Sequence, residues 1–400
     1  MTEAAGRNMR RNVRLLSGCF ALMTTGNVVV VSVSALVGFA LADDKALATL
    51  PAALMWIATA TAAVPASFLM RRIGRRLGFM TGAVIGMAGA ALGGLAVATE
   101  SFVLLCLAVA VIGLYNGFNF YFRFAAAEVA SEDYRGRAIA LVMAGGVVAA
   151  FFGPGISEVT NGLFSTPLYF GPFVAVGGIA LAIFALAAFI DIPKPSAMQL
   201  RGGRPLAEIA RQPVFLVAVF AAAVAYGVMV MLMSVTPLAM INRGLTFGDV
   251  TFVIQWHVLA MFAPSFATGH IIRRFGVLTV MAWGAVSMAA SIGVALQGVS
   301  VAHFLLTMCL LGLGWNFLFV GATTLVTEAH STAERAKAQA MNEFTVFASA
   351  SIGSFLSGSL HYYVGWQALN LAALPPVLIL LAAILWLDRR RRHQAWGHHD

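Results

Sequence analysis

Charged side chains are scarce in this 400-residue chain. Only 10% of its residues are Asp, Glu, Lys or Arg, against about 25% in ordinary soluble proteins. Acidic residues are the rarest, 16 against 25 Lys and Arg, while 60% of the chain is hydrophobic. A globule of this size would lack the polar surface it needs in water, so the composition argues against a soluble protein.

Cysteine is also rare, and sequence motifs for nucleotide binding are missing. Cys19, Cys106 and Cys309 all lie in apolar stretches, which argues against a disulfide framework and indicates small packing residues. The sequence contains no Gly-x-x-x-x-Gly-Lys-Ser/Thr loop, so ATP-driven pumping is not expected. The eight histidines are scattered. We therefore predict no catalytic cluster, no metal site and no cofactor. A membrane enzyme or a sensor is the weaker alternative.

Long apolar stretches fill most of the chain. Each has about 20 residues or more, enough for a helix to cross roughly 30 Å of hydrocarbon, and none shows the alternation of a membrane barrel. The sequence therefore predicts an all-α integral membrane protein with twelve transmembrane helices, called spans 1 to 12. They lie near residues 15–41, 46–70, 77–98, 102–127, 137–160, 168–190, 213–240, 250–272, 277–299, 301–327, 337–360 and 366–387.

The basic residues occupy alternate loops. Of the 25 Lys and Arg, 22 fall in the N-terminal arm, the loops from even to odd spans, the central linker or the C-terminal tail. This is the positive-inside distribution, and it predicts that both termini and the linker face the cytoplasm. We expect a bacterial inner membrane. Orientation of the chain in the lipid bilayer explains the net charge of +9. We therefore expect the bilayer as a partner and no nucleic acid.

The two halves of the chain echo each other. Three residues recur with unchanged spacing from the first half to the second. Asn116, Glu128 and Arg135 of the first half correspond to Asn316, Glu328 and Arg335 of the second. This duplication predicts two parallel six-helix repeats. The predicted division is a bundle at 1–190, a cytoplasmic linker at 191–212, a bundle at 213–388 and a cytoplasmic tail at 389–400.

Small residues recur as well, in spans 5 and 11. Gly153 in span 5 corresponds to Gly353 in span 11. Small side chains at helix-packing spacing allow close approach of helices in lipid. We predict that these two glycines are contact points between the two halves.

The loop between spans 2 and 3 carries a motif. It reads Ser-Phe-Leu-Met-Arg-Arg-Ile-Gly-Arg-Arg over 67–76, and 269–276 reads Gly-His-Ile-Ile-Arg-Arg-Phe-Gly. Both copies resemble the Gly-x-x-x-Asp-Arg-x-Gly-Arg-Arg motif of the major facilitator superfamily, and the resemblance covers essentially the whole chain. It implies a secondary carrier that moves a small organic solute by alternating access, and we expect a monomer. Arg71 and Arg273 replace the family's Asp, a departure that matters because this Asp normally helps to latch the cytoplasmic side.

The family also carries Glu followed by six residues and Arg after spans 4 and 10. By similarity, a charge cluster is expected to lock the cytoplasmic gate, and it comprises Arg72, Glu128, Arg135, Arg274, Glu328 and Arg335. Ion pairs at a membrane border can be broken by a rocking motion. The alternative is that these are solvated loop charges that only set the orientation of the chain.

Two local resemblances bear on the solute. Residues 254–257 and 314–317 look like segments of a proteobacterial subfamily in which some members are riboflavin transporters, which favours uptake of riboflavin or a similar heterocycle. Gly153-Pro154-Gly155 looks like a shortened form of the Gly-Pro motif of drug antiporters. Proton-coupled efflux of a drug or metabolite is therefore the alternative, although the same residues can serve only to kink a helix.

The resemblance places the cavity among spans 1, 4, 7 and 10, flanked by 2, 5, 8 and 11. Polar and aromatic residues at depth there are candidates for binding the solute: Asn27, Asn116, Asn119, Arg123, Tyr226, Gln255, Trp256, His257, Trp315 and Asn316. Amides offer hydrogen bonds, indoles offer stacking, and a guanidinium suits a negative edge. The competing hypothesis for each Asn is a hydrogen bond that joins two helices.

Coupling to protons has few candidates. Spans 1, 7 and 10 have no acidic residue at mid-depth, where proton-driven carriers usually hold one. Glu158 in span 5 and Glu343 in span 11 are secondary candidates, and His257 has a side chain suited to relaying protons. A facilitative carrier without a coupled ion remains open.

Overall fold

A computed structural model describes residues 3–44, 47, 50–163, 169–193 and 203–396. All regular structure within these residues is helical. Eleven helices of the described chain are long and apolar enough to cross a membrane. Residues 335–364, ahead of a kink at Gly365, complete the twelve predicted spans. The predicted fold class is confirmed. Parts of the predicted linker (194–202) and tail (397–400) lie outside the described residues.

The helix bounds follow the predicted spans closely. The spans of the N-terminal repeat are Glu3–Leu41, Leu50–Ile73, Arg75–Ala98, Phe102–Asn119 with Phe122–Val129, Arg135–Ala144 with Val147–Leu163, and Phe170–Ala188. Those of the C-terminal repeat are Pro213–Ile241, Phe247–Phe262 with Ser265–Phe275, Val277–Gln297, Val301–Glu328, and Arg335–Trp396, which holds spans 11 and 12. A 3-10 turn at Glu132–Tyr134 joins spans 4 and 5.

Local sequence sets several helix ends. Ser101 and Ser300 accept hydrogen bonds from the third backbone N–H of spans 4 and 10. Thr246 and Asp249 form a reciprocal capping box at the start of span 8. These side chains satisfy N–H groups that a helix leaves without partners in its first turn. The same loops lie opposite the arginine-rich loops, at the other end of the bundle.

Three spans are broken near mid-length. Span 8 breaks at Pro264, and span 5 breaks at Gly145–Gly146, where a Cβ on Gly145 would lie 2.4 Å from the Ser17 carbonyl oxygen. Span 4 breaks after Asn119, although it contains no proline there. The Phe120 carbonyl at that break accepts a hydrogen bond from Arg123, so a side chain satisfies a backbone group released by the break.

Gly153 and Gly353 contact helices of their own repeat. A Cβ on Gly153 would meet the Val28 side chain in span 1, and a Cβ on Gly353 would lie 2.5 Å from the Gly227 carbonyl oxygen in span 7. The prediction that they join the two halves is therefore corrected. Their small size permits close packing of span 5 on span 1 and of span 11 on span 7.

The two repeats touch mainly through span 2 against span 11 and span 5 against span 8. Ser67 Oγ donates a hydrogen bond of 2.8 Å to the Ala336 carbonyl. A Cβ on Gly269 would lie 2.6 Å from the Cα of Arg137. Both contacts lie near the arginine-rich end, which is defined here as the end of the bundle where spans 2, 4, 8 and 10 end. The repeats are closely packed there.

The described parts of the linker are anchored at this same end. Asn12 of span 1 donates a 2.8 Å hydrogen bond to the Asp191 carbonyl and accepts one of 3.0 Å from the Asp191 N–H. Beyond the gap, Arg204 pairs with Glu334 at 2.7 Å, and a short helix, Leu206–Ala210, leads into span 7. The linker thus contacts span 1 and the loop before span 11.

Candidate functional site

Seven aromatic side chains from both repeats meet at the centre of the molecule. Trp315 stacks on Phe319 with ring centroids 4.9 Å apart, and Tyr226 lies 5.7 Å from Trp315. Phe347 of span 11 lies 5.5 Å from Tyr226. The seven, called the aromatic cluster, are Trp56, Phe120, Tyr226, Phe262, Trp315, Phe319 and Phe347. Spans 2, 4, 7, 8, 10 and 11 therefore share one apolar, aromatic surface.

Polar atoms without partners accompany this cluster. Within the described residues, Trp315 Nε1 and Asn116 Oδ1 are buried and make no hydrogen bond. Asn116 lies one helical turn before Phe120, so both face the same side of span 4. An unpaired buried donor or acceptor costs about 1–3 kcal/mol. These two atoms are suited to a ligand that supplies one acceptor and one donor.

Asn316, the counterpart of Asn116 in the repeat, has a different environment. Its amide nitrogen donates to the Met261 carbonyl at 2.6 Å and to Ser265 Oγ at 2.5 Å. Its oxygen accepts from Thr268 Oγ1 at 2.7 Å. These three bonds join span 10 to span 8, so the structure supports the helix-joining hypothesis for Asn316. Equal spacing in the sequence does not produce equal environments here.

The other predicted residues of span 8 also lie outside the cluster. His257 is fully buried, and its Nδ1 lies 2.7 Å from the Met308 carbonyl of span 10. Gln255 is exposed, and Trp256, 45% exposed, pairs with the neighbouring Phe252. The structure therefore joins His257 to span 10 by a hydrogen bond and leaves Gln255 and Trp256 apart from Trp315.

Two further predicted amides, Asn119 and Asn27, are not part of the cluster. Asn119 is fully buried, and a Cβ on Gly82 of span 3 would lie 3.6 Å from its oxygen, so Asn119 faces its own repeat. Asn27 of span 1 is half-buried, and its oxygen has no hydrogen-bond partner within the described residues. Asn27 thus remains available to a ligand, whereas Asn119 faces span 3.

Arg123 and Glu343 form an ion pair that the sequence did not predict. Arg123 Nη2 lies 2.5 Å from Glu343 Oε1, and both side chains are fully buried. Arg123 also donates to Thr323 Oγ1 at 3.0 Å, and its guanidinium lies 4.3 Å from the Phe319 ring centroid. The pair connects span 4 to span 11, one in each repeat. Its charges cancel inside the protein, which makes burial of both tolerable.

Glu343 has further polar neighbours. Its Oε1 also accepts a hydrogen bond of 2.7 Å from the Asn342 amide. Its Oε2 is buried and has no partner among the described residues. The predicted solute ligand Arg123 and the predicted coupling residue Glu343 are thus brought together in one ion pair. The side chain of Glu158, the other acidic candidate, lies outside the described residues.

A second ion-pair group, called the gate cluster, lies at the arginine-rich end. Glu128 binds Arg75 through both carboxylate oxygens, at 2.5 and 3.2 Å, and pairs with Arg335 of the C-terminal repeat at 3.1 Å. Arg75 also donates to Gln339 Oε1 at 2.6 Å. The carboxylate of Glu128 is almost completely buried. One acid of the first repeat therefore holds a basic residue from each repeat.

Glu128 and Arg335 were predicted for this cluster. Arg72 was predicted as well, but Arg75 is the motif arginine that pairs with Glu128. Gly74 has φ of 91°, and span 3 begins directly after it, which directs Arg75 toward span 4. Arg72, on the last turn of span 2, is exposed. Arg75 occupies an arginine position of the family motif, so the motif already contained the signal that was missed.

The second copy of the predicted gate residues has other partners. Glu328 is 2.9 Å from Arg391 of the C-terminal segment, and the guanidinium of Arg274 lies over the Phe275 ring. Arg135 is half-buried and forms no ion pair within the described residues. The structure therefore places Arg274, Glu328 and Arg135 outside the gate cluster. The gate cluster contains the acid of the first repeat, Glu128, and the arginine of the second, Arg335.

The aromatic cluster, the Arg123–Glu343 pair and the gate cluster are arranged in order of depth. Along span 4 the sequence runs from Phe120 to Arg123 to Glu128, while span 11 carries Arg335, Glu343 and Phe347 in the opposite chain direction. At 1.5 Å per residue, Phe120 lies about 12 Å along span 4 from Glu128. Two charged layers, the Arg123–Glu343 pair and the gate cluster, therefore lie between the aromatic cluster and the outer surface of the protein at the arginine-rich end.

This fold is that of a two-repeat membrane carrier, and sequence comparison agrees. The sequence profile of the Major Facilitator Superfamily matches residues 15–276 and 220–399. The chain belongs to this superfamily. It is a multi-pass membrane transporter of a small molecule and not an enzyme.

Among its relatives is the riboflavin transporter RfnT of Brucella anthropi, 38% identical over 96% of this chain and 97% of the relative. An uncharacterised transporter of the same superfamily in Bacillus subtilis, YddS, is 28% identical over 91% of this chain and 88% of its own length. The prediction of a superfamily member related to riboflavin transporters is confirmed.

Solved structures agree on the fold. A transporter of the superfamily, FucP, the fucose:proton symporter of E. coli, superposes in its outward conformation with a TM-score of 0.73 at 17% identity, covering 95% of this chain and 98% of its own. The human organic anion transporter MFSD10 gives a TM-score of 0.74 at 13% identity, covering 94% and 99%. At these identities the likeness concerns the arrangement of helices alone.

Proposed function

We propose that this protein takes up riboflavin across the bacterial inner membrane by alternating access. The observation that carries the proposal is the 38% identity, over nearly the full length of both chains, with a transporter of riboflavin. The central site supports it independently. A carrier for a charged or strongly hydrated solute would need more polar side chains than the aromatic cluster offers.

The chemistry of the aromatic cluster suits a flavin. Riboflavin has a flat tricyclic ring that is apolar at one edge and carries amide-like donors and acceptors at the other. Trp315, which stacks on Phe319 at an interplanar angle of 19°, provides a flat aromatic side chain for such a ring. Asn116 Oδ1 and Trp315 Nε1, each buried without a partner in the described chain, supply one acceptor and one donor. We propose Asn27, Asn116, Tyr226 and Trp315 as solute contacts.

The gate cluster supports the proposed transport cycle. Arg335 and Gln339 of the C-terminal repeat contact Glu128 and Arg75 of the N-terminal repeat. We propose that residues 1–190 and 213–388 rock against each other as two bundles, with these contacts breaking when the cytoplasmic side opens. The positive-inside distribution supports a cytoplasmic location for the arginine-rich end and both termini.

Coupling is proposed at the Arg123–Glu343 pair. Glu343 is the buried acid nearest to the aromatic cluster along span 11, and Arg123 ties it to the other repeat. A solute or proton that changes this pair would weaken one of the contacts that hold the repeats together. His257 is the weaker candidate because its Nδ1 is already engaged with the Met308 carbonyl.

The test is uptake of labelled riboflavin by cells that lack their own importer and express this chain. We expect saturable uptake. The substitution Trp315→Ala should raise KM roughly tenfold, because an aromatic contact is worth about 0.5–1.5 kcal/mol beyond its buried area. Trp283→Ala is the matched control, since Trp283 contacts Phe275 at the protein surface, and it should keep the original KM.

Absence of uptake above the empty vector, with the protein present in the membrane, would overturn riboflavin import. Proton-linked efflux would then be examined in vesicles by direction and by dependence on the pH gradient. Equal effects of Trp315→Ala and Trp283→Ala on KM would leave riboflavin as the solute and exclude the aromatic cluster as its site.

A further inference from the structure

A cleft opens between spans 1, 5 and 8 at the arginine-rich end. It has a volume of about 650 Å³, and it shares no residue with the aromatic cluster or the gate cluster. One wall is formed by spans 1 and 5, whose packing includes a 2.9 Å hydrogen bond from Ser17 Oγ to the Leu141 carbonyl. The other wall is Phe266 of span 8. The proposed transport cycle assigns no role to this cleft.

The mouth of the cleft is positively charged. Arg10, Arg14 and Arg137 line it, and none of the three forms an ion pair with an acid of the described chain. The guanidinium of Arg137 lies over the Tyr134 ring at 5.2 Å, and its Nε is buried without a partner in the described residues. Three cations without a carboxylate are suited to an anion.

The floor of the cleft is apolar. Moving from Arg137 along span 5, the lining changes to Leu141, Ala144 and Val148. At 1.5 Å per residue, Val148 lies about 16 Å deeper in the membrane than Arg137. Val148 is 42% exposed and Phe266 is 60% exposed. A free phosphate ion would use only the mouth, whereas the floor fits a hydrocarbon chain.

We propose that this cleft binds an anionic phospholipid of the membrane leaflet at the arginine-rich end. The phosphate lies among Arg10, Arg14 and Arg137, and one acyl chain follows Leu141 toward Val148. Basic pockets between membrane helices bind anionic headgroups in this way. A zwitterionic lipid gains less, because its own cation opposes three arginines. The site is independent of which solute the protein carries.

The bound lipid also affects how the repeats pack. Phe266 belongs to the C-terminal repeat, while the arginines belong to the N-terminal repeat. Gly269, one turn beyond Phe266, packs on the backbone of Arg137. A lipid in the cleft therefore contacts both repeats next to their closest approach, and it stabilises the closed arrangement at this end.

The test is native mass spectrometry of the full-length protein released from membranes that contain phosphatidylglycerol or phosphatidylcholine. We expect retained phosphatidylglycerol and little phosphatidylcholine. The triple variant Arg10→Gln, Arg14→Gln, Arg137→Gln should weaken phosphatidylglycerol binding on the order of 100-fold. The matched control carries Arg76→Gln, Arg211→Gln and Arg273→Gln, three exposed arginines outside the cleft, and should retain the lipid as the wild type does.

A second variant, Val148→Trp, keeps all three arginines and fills the deep end of the cleft. It should lose phosphatidylglycerol while still binding inorganic phosphate as well as the wild type does. Displacement of the lipid by millimolar phosphate, or full retention in Val148→Trp, would show a simple anion site and overturn the proposal. Equal loss in the two arginine triples would show unspecific attraction by basic residues and would overturn it as well.

Discussion

Glu128 is the acidic residue that contacts both repeats at the arginine-rich end. Its carboxylate holds Arg75 and Arg335 together, whereas its counterpart Glu328 is exposed and pairs with Arg391. Removing one partner of a buried ion pair typically costs about 3–5 kcal/mol, because the other charge is left unpaired. The same substitution at the two glutamates should therefore have unequal effects.

We expect Glu128→Gln to shift the protein toward an arrangement open at the arginine-rich end, on the order of 100-fold in the equilibrium constant. The measurement is the distance between spin labels at Arg72→Cys and Arg274→Cys, two exposed positions in different repeats, after replacement of the three native cysteines. The labels should move apart in Glu128→Gln and stay in place in Glu328→Gln. Unchanged distances in both variants would mean that these charges only orient the chain.

The Arg123–Glu343 pair can be tested through its mutual dependence. Either Arg123→Met or Glu343→Gln leaves one buried charge uncompensated, and each should lower stability by about 3–5 kcal/mol. The double variant should recover most of that loss, because no charge is then left alone. Thermal unfolding of the four proteins in detergent gives the coupling energy. Additive losses would show that the two side chains do not stabilise each other.

At the scale of helices, glycine contacts decide how closely spans can pack. A Cβ on Gly353 would meet the backbone of Gly227, which can move only if span 11 and span 7 separate. By contrast, a Cβ on Gly178 in span 6 would meet nothing within 4 Å. Overpacking typically costs about 1–3 kcal/mol, while glycine to alanine in an open helix position is favourable by up to about 1 kcal/mol.

Gly353→Ala should therefore lower the melting temperature of the purified protein, and Gly178→Ala should leave it unchanged or raise it. Gly153→Ala should also lower it, because a Cβ there would lie 2.7 Å from the Val28 Cβ, which rotation of the Val28 side chain does not move. A melting temperature for Gly353→Ala equal to that of Gly178→Ala would contradict the close contact of spans 7 and 11.

At the scale of the whole molecule, the loop between spans 10 and 11 makes stability depend on pH. Burial of the His330 ring lowers its pKa to about 4 from its usual 6.5. Hydrogen bonds from Arg204 hold the pKa of Glu334 well below its ordinary range. As the pH falls below 6.5, the unfolded state binds a proton at His330 before the folded state does, so stability falls until about pH 4. The Glu334 contribution is present above about pH 4.5 and is lost below it.

We expect the melting temperature to drop between pH 7 and pH 5, and the drop to be smaller in His330→Gln. His270→Gln, which changes an exposed histidine at the same end, serves as the control and should keep the wild-type drop. An unchanged pH dependence in His330→Gln would exclude His330 as a source of the effect.

Much of the fold could be predicted because hydropathy acts residue by residue. Each span is apolar enough to leave water by itself, and the loops between spans carry their own charges and caps. The repeat and the family motif added the connectivity of the two halves. The breaks at Gly145–Gly146 and Pro264 coincide with helix-breaking residues, whereas the break at Phe120 depends on Arg123, a contact that local sequence does not show.

The candidate site could be predicted only in part. Tyr226 and Trp315 belong to the aromatic cluster, Asn116 lies one helical turn before Phe120, and Glu128 and Arg335 form an ion pair. Trp56, Phe262 and Phe347 were missed because an aromatic residue in an apolar span is indistinguishable from one that faces lipid. The position of a residue within its span also could not distinguish the buried Trp315 from Trp256, whose side chain is 45% exposed.

What the sequence alone determined is the class of molecule: twelve spans in two parallel repeats, with the basic loops at one end. Only the tertiary structure decided the partners. Arg123 meets Glu343 across 220 residues, and Glu128 meets Arg75 rather than Arg72. Whether a segment enters the membrane depends on the sum of its residues, but a side-chain contact depends on the rotation of each helix about its axis. One residue turns that direction by about 100°, and only packing against neighbouring helices sets it.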